Sequence, residues 1–316
     1  AILAYDLGGT SMKYGLGTPD GNIYYHYNRP TGKLDSFQDI RDSFLKAAEH
    51  IKDVAHKNRM YLIAAGIGTP GAVDKETGEI FGSSPNLPGI IGHSLKRVIE
   101  DALDIPTVVD NDGNMAILGE ALAGAGEGYE TVFGVTVGTG IGGGFVIGNS
   151  NLRGDHGTAM EAGHTTVVHN GRICTCGKRG HIEAYSSGTA IIKRANELAK
   201  IEGGPPDGEY TGTRRVFEDA DAGYPPAVYT IHEALEYLTT FFASVINLID
   251  PGCIVVGGGV MFGFMDYWVE IERQVADKVV DSAVGKTPII PAKLGNMAGM
   301  VGATLAAVKQ VREQIG

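Results

Sequence analysis

The stretch from Glu161 to Glu183, EAGHTTVVHNGRICTCGKRGHIE, holds four potential metal ligands within one short, glycine-containing segment. Two thiols and two imidazoles are a mixture that zinc favours, and a structural zinc site fills all four positions with protein ligands. The four residues are His164, Cys174, Cys176 and His181. Because Glu161 and Glu183 flank this set, we expect their carboxylates to be left over and to point elsewhere.

The spacing of these ligands leaves two interpretations open. It differs from the Cys-x2-Cys pairs of the common zinc modules. The alternative to a metal site is a plain loop with two thiols one residue apart and unrelated histidines nearby. The chemistry favours the metal, because thiols and imidazoles rarely crowd a glycine-rich loop without a ligand that holds it together.

Composition narrows the possible partners of the chain. Its 316 residues are 43% hydrophobic and 20% charged, which suffices for two domains with separate cores. A net charge of −11 argues against a nucleic-acid or anionic-membrane partner. No membrane span or secretion signal is visible in the sequence. Two of the three cysteines lie in the candidate metal loop, which leaves no disulfide framework and indicates a reducing compartment. We therefore expect a cytoplasmic protein, and the acidic charge favours small-molecule substrates.

The hydrophobic pattern predicts alternating strands and helices, which is typical of the α/β class. A three-strand meander is expected within residues 1–29, followed by a helix that Asp35 or Ser36 caps and that ends near Lys57. Further predicted strands are 61–68, 106–110, 253–259 and 287–291. Further predicted helices are 94–103, 114–123, 187–200, 227–249, 265–282 and 298–314, with an irregular stretch at 203–225.

The second half of the chain repeats the pattern of the first. AILAYDLGGTSMKYGLGTPDGN and TVFGVTVGTGIGGGFVIGNSN each predict a strand, a glycine-rich turn, a second strand and a polar turn. Two such openings, each followed by α/β elements, indicate a duplicated fold with a ligand in the cleft between its halves.

The two glycine-rich turns are candidates for phosphate binding. Gly138, Gly140 and Gly143 formally match G-x-G-x-x-G, but that motif opens a helix, whereas here the chain continues as the strand-like GFVIG. We therefore expect a hairpin turn whose backbone N–H groups face a phosphate. The first half carries a similar turn with Asp6, Gly8, Gly9 and Thr10. Either turn alone fits a plain hairpin, but the pair favours a polyphosphate, with Asp6 placed to hold hydrated magnesium.

Asn111 and Asp112 lie between a predicted strand and a predicted helix, where open α/β sheets place ligand contacts. Phosphoryl transfer to an alcohol benefits from a carboxylate that orients the hydroxyl and accepts its proton, and Asp112 is the candidate. The alternative is that one of the two residues is simply a helix N-cap, a role that both residue types fill well.

Eight segments together resemble the ROK family of sugar kinases and sugar-responsive repressors. In chain order they are DLGGTSMKYG, GIGTPGAVD, VDNDGNMAILGE, GVTVGTGIGGG, EAGH, CTCGKRGHIEAYSSG, IVVGGGV and LGNMAGMVGA. The resemblance covers nearly the whole chain, and the combination of EAGH with the Cys-x-Cys-Gly loop is its most specific part. It implies a duplicated hexokinase/actin-like (ribonuclease H-like) fold, two lobes with a central cleft that binds ATP and magnesium.

The resemblance also implies roles for individual residues. Asp112 matches the catalytic base. The sugar-binding positions are matched by Gly71, Asn86, Asn111, Glu161, His164 and Glu183. The two phosphate motifs are matched by Asp6, Gly8, Gly9 and Thr10 and by Gly138, Thr139 and Gly140. The adenosine-side turn is matched by Gly257, Gly258 and Gly259.

One position departs from the family pattern, which is usually Cys-x-Cys-Gly-x-x-Gly-Cys-x-Glu. His181 stands where the third cysteine is expected. Because imidazole also binds zinc, we expect the site to persist with two histidines and two cysteines and with less negative charge. Loss of the metal is the competing outcome.

The resulting hypothesis is an ATP-dependent hexokinase that phosphorylates the 6-hydroxyl of glucose or a related aldohexose. The alternatives within the enzyme class are an N-acetylmannosamine or N-acetylglucosamine kinase and a β-glucoside kinase, with discrimination expected in loops 83–93 and 151–160. A sugar-sensing repressor is the rival from another class. Repressors of the family carry an N-terminal winged helix, which we do not expect here because the first strand is predicted from Ile2 and the chain is acidic.

The predicted division of the chain has two parts. Residues 1–119 would form a small N-terminal lobe, joined by the C-terminal helix 298–316, and residues 120–297 a large lobe with the zinc loop. The resemblance further suggests a homodimer, and no nucleic-acid or membrane partner is expected.

Overall fold

The computed structural model describes residues 1–9, 11–31, 36–82, 84, 87–205 and 207–315. The strands are β1 (Ile2–Leu7), β2 (Ser11–Gly17), β3 (Ile23–Pro30), β4 (Ala64–Thr69), β5 (Ala72–Val73), β6 (Ile80–Phe81), β7 (Thr107–Asn111), β8 (Thr131–Val137), β9 (Ile141–Ile147), β10 (Ser150–Asn151), β11 (Cys253–Gly257) and β12 (Ile289–Pro291). The α-helices are α1 (Phe37–Lys57), α2 (Leu95–Leu103), α3 (Asp112–Ala123), α4 (Glu183–Ser186), α5 (Gly188–Ile201), α6 (Thr213–Asp221), α7 (Pro225–Ile249), α8 (Met261–Phe264), α9 (Trp268–Ala276) and α10 (Ala298–Ile315).

Two five-stranded sheets share one strand order. The first runs β3-β2-β1-β4-β7, with an antiparallel meander on one side and the parallel strands β4 and β7 on the other. The second runs β10-β9-β8-β11-β12, and β11 and β12 are again added in parallel. Because both sheets place three successive strands in reverse order before two parallel strands, the predicted duplication of the fold is confirmed.

The chain forms two compact units. Unit 1 comprises Ala1–Glu130, Gly144–Met160 and Ala292–Gly316, and unit 2 comprises Thr131–Gly143 and Glu161–Pro291. Residues 120–130 and 144–160 therefore belong to the same unit as the N-terminal residues, whereas the predicted division assigned them to the C-terminal lobe. The functional lobes remain a prediction.

Hydrophobic periodicity explains how unit 1 acquires its core. Helix α1 turns Ile40, Phe44 and Ile51 toward the sheet, and all three are fully buried. The hydroxyl of Ser36 accepts from the backbone N–H of Asp39, so Ser36 is the predicted N-cap. The alternative cap, Asp35, lies outside the described residues. Strand β4 is buried at every position, as expected for a parallel strand covered on both faces.

Three parts of the predicted secondary structure were wrong. The stretch predicted to be irregular contains α6, which buries Val216, Phe217 and Ala220 at helical spacing. The helix predicted over 265–282 is instead the short α8, a 3-10 turn and α9, which ends at Ala276. Helix α3 begins at Asp112, two residues earlier than predicted, because the side chain of Asn111 caps it. Among the described residues, no helix combines the length and apolar character that a membrane crossing requires.

A buried carboxylate at the end of α3 forms hydrogen bonds with the segment that precedes α10. Glu120 is 1% exposed. Its Oε2 accepts from the backbone N–H groups of Ala125 (2.9 Å) and Lys293 (3.0 Å), and its Oε1 accepts from that of Leu294 (2.7 Å). Because hydrogen bonds to a charged acceptor are strong, Glu120 supports the position of both helices.

We expect Glu120→Gln to lower the free energy of unfolding by about 2 kcal/mol or more, because an amide nitrogen would face buried N–H donors. Thermal unfolding measures the change. Glu313→Gln is the control, since the Glu313 side chain is 66% exposed and pairs with Lys309 only at 3.7 Å. Equal melting temperatures for the two variants would contradict the role assigned to Glu120.

Candidate active site and metal-binding loop

The junction of β7 and α3 brings together several predicted site residues of unit 1. The side-chain oxygen of Asn111 accepts from the backbone N–H groups of Gly113 (2.9 Å) and Asn114 (3.3 Å), so Asn111 is the N-cap of α3. Its amide nitrogen donates to the carbonyl of Gly71 at 3.1 Å. The N-cap alternative for Asn111 is therefore realised, and the same side chain fixes Gly71 of the TPG turn beside it.

Asp112 is the first residue of α3 and is half-buried. Its Oδ1 accepts from the backbone N–H of Gly113 at 2.8 Å. A carboxylate in the first turn of a helix is stabilised by the positive end of the helix dipole. This position gives Asp112 a fixed orientation at the carboxyl end of a parallel strand, where it can accept a hydrogen bond from a ligand hydroxyl.

Asp110 lies one residue before this pair and was not singled out from the sequence. It is 3% exposed. Its Oδ1 accepts from the backbone N–H of Asn111 (2.8 Å) and from Asn114 Nδ2 (3.1 Å). Its Oδ2 accepts from Asn151 Nδ2 (3.2 Å) and Arg153 Nε (2.8 Å). The only sequence signal is an acid inside a buried strand, which requires partners that the sequence does not identify.

The first glycine-rich turn joins β1 to β2. The N–H of Gly8 donates to the carbonyl of Ser11 at 2.8 Å, which closes the hairpin. Asp6 faces Lys13 across the strands, and their side chains form an ion pair at 2.8 Å. The sequence did not identify Lys13 as a site residue. Thr10, which resembles a phosphate-motif residue, lies outside the described residues, as does the predicted sugar contact Asn86.

The second glycine-rich turn joins β8 to β9 as a hairpin, so the prediction of a strand after GTGIGGG is confirmed. The N–H of Gly138 donates to the carbonyl of Gly140 at 2.9 Å. The start of α5 holds the turn from one side, because Gly188 N–H donates to Gly138 O (2.8 Å) and Thr189 Oγ1 donates to Thr139 O (2.8 Å). Gly188 and Thr189 carry no local sequence signal for this role, since these contacts join residues about 50 positions apart.

The predicted adenosine-side turn follows β11 and lies against the end of β8. Gly257 is the last residue of β11. The N–H of Val260 donates to the carbonyl of Val137 at 3.1 Å, immediately before Gly138. The structure therefore brings Gly257–Gly259 and the second glycine-rich turn together at one end of the parallel strands of unit 2.

The four predicted metal ligands converge in unit 2. One ligand atom from each of His164, Cys174, Cys176 and His181 lies within 4.8 Å of every other. Cys174 Sγ is 3.6 Å from His164 Nδ1, and Cys176 Sγ is 3.3 Å from His181 Nδ1. Zinc bonds of 2.0–2.3 Å give a tetrahedron with edges of about 3.5 Å, so this donor set fits a zinc ion.

Backbone hydrogen bonds shape the loop that carries these ligands. Cys174 N–H donates to Lys178 O at 2.8 Å, and Gly177 N–H donates to Cys174 O at 2.9 Å. The segment around His181 pairs with Thr166 in an antiparallel bridge. These contacts fold the loop back so that both cysteines lie next to both histidines, although His164 and His181 are 17 positions apart in the sequence.

Without a metal, the electrostatics of the loop favour neutral ligands. Burial is the main factor that raises the pKa of the Cys174 thiol, to about 11. Burial, followed by the nearby His164, lowers the pKa of His181. A metal therefore has to displace the thiol protons, and its affinity should fall as the pH falls.

Glu183 joins the metal loop to the second glycine-rich turn. It is 9% exposed. Its Oε1 accepts from Thr175 Oγ1 at 2.5 Å and lies 3.4 Å from Cys174 Sγ, while its Oε2 accepts from the N–H of Ile141 at 3.1 Å. A Cβ at position 140 would lie 2.6 Å from Glu183 Oε2, so the close approach requires Gly140. The carboxylate is thus held by two segments rather than left over.

Glu161 stays accessible. Its side chain is 54% exposed, and its Oε2 lies 4.0 Å from His164 Nε2. His164 therefore turns Nδ1 toward Cys174 and Nε2 toward Glu161. If a metal binds Nδ1, the neutral ring carries its proton on Nε2 and can donate it to an acceptor there.

A pocket of about 330 Å³ lies beside the metal loop. One wall contains Cys174, Thr175 and Glu183, and the other is formed by α5 with Thr189 and Lys193. Glu183 and Thr189 line this pocket, and each also forms a hydrogen bond with the second glycine-rich turn. The pocket therefore lies beside the residues that hold this turn in place.

Comparison with a solved structure defines the class of protein. The chain is similar to the crystal structure of a ROK family glucokinase from Streptomyces griseus in complex with glucose and AMPPNP, with a TM-score of 0.79 and 30% identity, over 98% of this chain and 99% of that chain. Together with the repeated strand order, this similarity shows the duplicated hexokinase/actin-like fold, as predicted.

The chain belongs to the ROK family, which it matches over residues 2–310. It is 31% identical to the glucokinase of Thermotoga maritima over 100% of this chain and 98% of that protein. It is also 31% identical to an N-acetylmannosamine kinase of Escherichia coli over 96% of this chain and 97% of that protein. The family predicted from the sequence motifs is thereby confirmed.

Proposed function

We propose that the protein is an ATP-dependent hexokinase that transfers the γ-phosphate of ATP to the 6-hydroxyl of glucose or a closely related aldohexose. The observation that carries the proposal is the similarity, over the full length of the chain, to glucokinases of the ROK family. The Asn111–Asp112 turn at the carboxyl end of β7 supplies the carboxylate that this reaction needs.

Asp112 is the general base of the proposed reaction. Its carboxylate orients the sugar hydroxyl and accepts the hydroxyl proton as the oxygen attacks the γ-phosphorus. Asn111 binds a neighbouring sugar hydroxyl through its amide while it caps α3. Gly71, which Asn111 holds at 3.1 Å, presents its backbone to the sugar, and Asn86 is a further proposed contact.

Three further residues are proposed as sugar-binding groups. His164 donates a hydrogen bond from Nε2, and the exposed carboxylate of Glu161 accepts from a sugar hydroxyl. One Glu183 oxygen accepts from Thr175 and the other from Ile141, and each oxygen keeps a second lone pair. Either oxygen can therefore also accept a hydrogen bond from a sugar hydroxyl.

Backbone N–H groups bind the phosphates of ATP in this proposal. The residues proposed for the whole ATP site are Asp6, Gly8, Gly9 and Thr10 in one turn, Gly138, Thr139 and Gly140 in the other, and Gly257, Gly258 and Gly259 on the adenosine side. Lys13, paired with Asp6, adds a positive charge near the first turn. Asp6 would hold magnesium, which neutralises phosphate charge when bound.

We propose that the Cys/His loop binds structural zinc through His164, Cys174, Cys176 and His181. The ion has no reacting role here, since all four positions are filled by protein. It would fix the ring of His164, so that Nε2 is directed toward the substrate, and would brace the loop that carries Thr175. A homodimer and a cytoplasmic location remain predictions.

A second candidate function is an N-acetylmannosamine kinase, which the similarity to the Escherichia coli enzyme favours. N-acetylglucosamine and β-glucosides are further alternatives, whereas a repressor is the less favoured class. A coupled ATP-consumption assay with glucose, mannose, fructose, N-acetylhexosamines and β-glucosides decides among these. We expect the highest kcat/KM with glucose. Preference for an N-acetylhexosamine would select the second candidate, and the absence of any turnover would contradict the kinase function.

Asp112→Asn should lower kcat by a factor of about 10²–10⁴, because the amide cannot accept the hydroxyl proton. The dissociation constants of sugar and nucleotide, measured by calorimetry, should stay close to those of the wild type. The exposed Asp101→Asn in α2 is the matched control. Near-normal turnover in Asp112→Asn would refute the general-base assignment.

The purified protein should contain about one zinc per chain, measured by inductively coupled plasma mass spectrometry. Cys176→Ser should lose most of this metal, and chelation should lower the melting temperature and weaken sugar binding, because the loop loses its brace. Cys253→Ala, which lies in β11 away from the loop, should retain the metal. A zinc-free protein with an unchanged melting temperature and sugar affinity would contradict the site.

A further inference from the structure

Arg153 has no assigned role in the proposed reaction, yet it forms the ion pair of the buried Asp110. The side chain of Asp110 is 5% exposed and that of Arg153 is 24% exposed, with 2.8 Å between Nε and Oδ2. Asn151 donates to the same oxygen at 3.2 Å, and Arg153 Nη2 donates to the carbonyl of Val109 at 3.4 Å. Strand β7 therefore holds the start of the segment 151–159 by three hydrogen bonds.

The other oxygen of the same carboxylate supports the catalytic turn. Asp110 Oδ1 accepts from the backbone N–H of Asn111, which precedes Asp112, and from the side chain of Asn114, two residues after Asp112. One buried carboxylate thus links the segment 151–159 to the turn that carries the general base. Both parts belong to unit 1.

The far end of this segment lies against the hairpin that follows Gly71. Gly157 has φ +70°, and a Cβ there would lie 2.7 Å from the carbonyl oxygen of Val73, so only glycine fits the contact. Within the segment, Ala159 N–H donates to Arg153 O at 3.2 Å. Since Asn111 also binds Gly71 at the start of this hairpin, the hairpin contacts both the segment 151–159 and the Asn111–Asp112 turn.

We propose that Arg153 is a positioning residue that determines sugar specificity, because its ion pair with Asp110 holds the segment 151–159 beside the Asn111–Asp112 turn. The inference rests on the proposed function. Loss of the guanidinium would leave a buried carboxylate without its cation, and the segment would move to let water reach it. Among the described residues, the Arg153 guanidinium donates to Asp110 and to the carbonyl of Val109 in β7, so we expect the effect to concern the sugar and not the nucleotide.

Arg153→Gln tests the proposal, with Arg273→Gln as the control. Arg273 forms a similar ion pair at 3.0 Å with Asp277, but both side chains are more than 60% exposed. We expect the KM of glucose to rise at least tenfold in Arg153→Gln and the KM of ATP to change less than twofold. The ratio of kcat/KM for glucose and N-acetylmannosamine should change at least fivefold. Arg153→Lys should recover part of the selectivity, since an ammonium can still pair with Asp110.

Two further measurements separate positioning from general stability. Hydrogen exchange within 151–159 should accelerate in Arg153→Gln more than in the rest of unit 1. The double variant Asp110→Asn/Arg153→Gln removes both charges, so it should regain melting temperature without regaining the sugar preference. Recovery of both together, or an unchanged sugar KM in a folded Arg153→Gln, would overturn the inference. A wild type that phosphorylates no sugar would instead refute the proposed function.

Discussion

The candidate site in unit 1 depends on one buried carboxylate. Asp110 accepts four hydrogen bonds, from the backbone of Asn111 and from Asn114, Asn151 and Arg153. A buried anion is tolerated only when its lone pairs are occupied and its charge is balanced, and the partners of Asp110 satisfy both conditions. The end of β7, the start of α3 and the segment after β10 consequently have to adopt one arrangement together. Because Asp112 begins α3 directly after the end of β7, this arrangement also fixes the position of Asp112.

Local pattern sufficed to predict the strand–turn–strand openings of both halves, but it could not identify contacts between distant segments. Residues close in sequence are enough to predict β1, β2 and β8 from their hydrophobic pattern. They also suffice to predict that the chain continues as a strand after Gly143. The partners of Asp110 lie up to 43 positions away, and Thr189 binds Thr139 over 50 positions. Helix α6 was not predicted, because glycines and prolines on both sides obscured the helical spacing of its few apolar residues. Of the candidate site, the residue types were predictable and the supporting contacts were not.

Glu183 illustrates why a residue's role is not settled by its type. The sequence suggested a spare carboxylate beside the metal ligands, whereas the structure shows both of its oxygens bonded, to Thr175 and to the N–H of Ile141. The absence of a side chain at Gly140 allows this approach. A sugar contact by Glu183 would therefore be coupled to the metal loop and to the glycine-rich turn, because any shift of the carboxylate disturbs hydrogen bonds to both.

The same contacts give a physical reason why a histidine can replace the third cysteine of the family pattern. Cys174 Sγ lies 3.4 Å from Glu183 Oε1, so negative charge on the proposed metal complex would act directly on that carboxylate. With two thiolates and two neutral imidazoles, a zinc complex is uncharged, whereas three thiolates would make it anionic. In a zinc complex, an imidazole at position 181 in place of a thiolate would remove one source of repulsion from Glu183. The substitution keeps four side-chain donors that suit a tetrahedron.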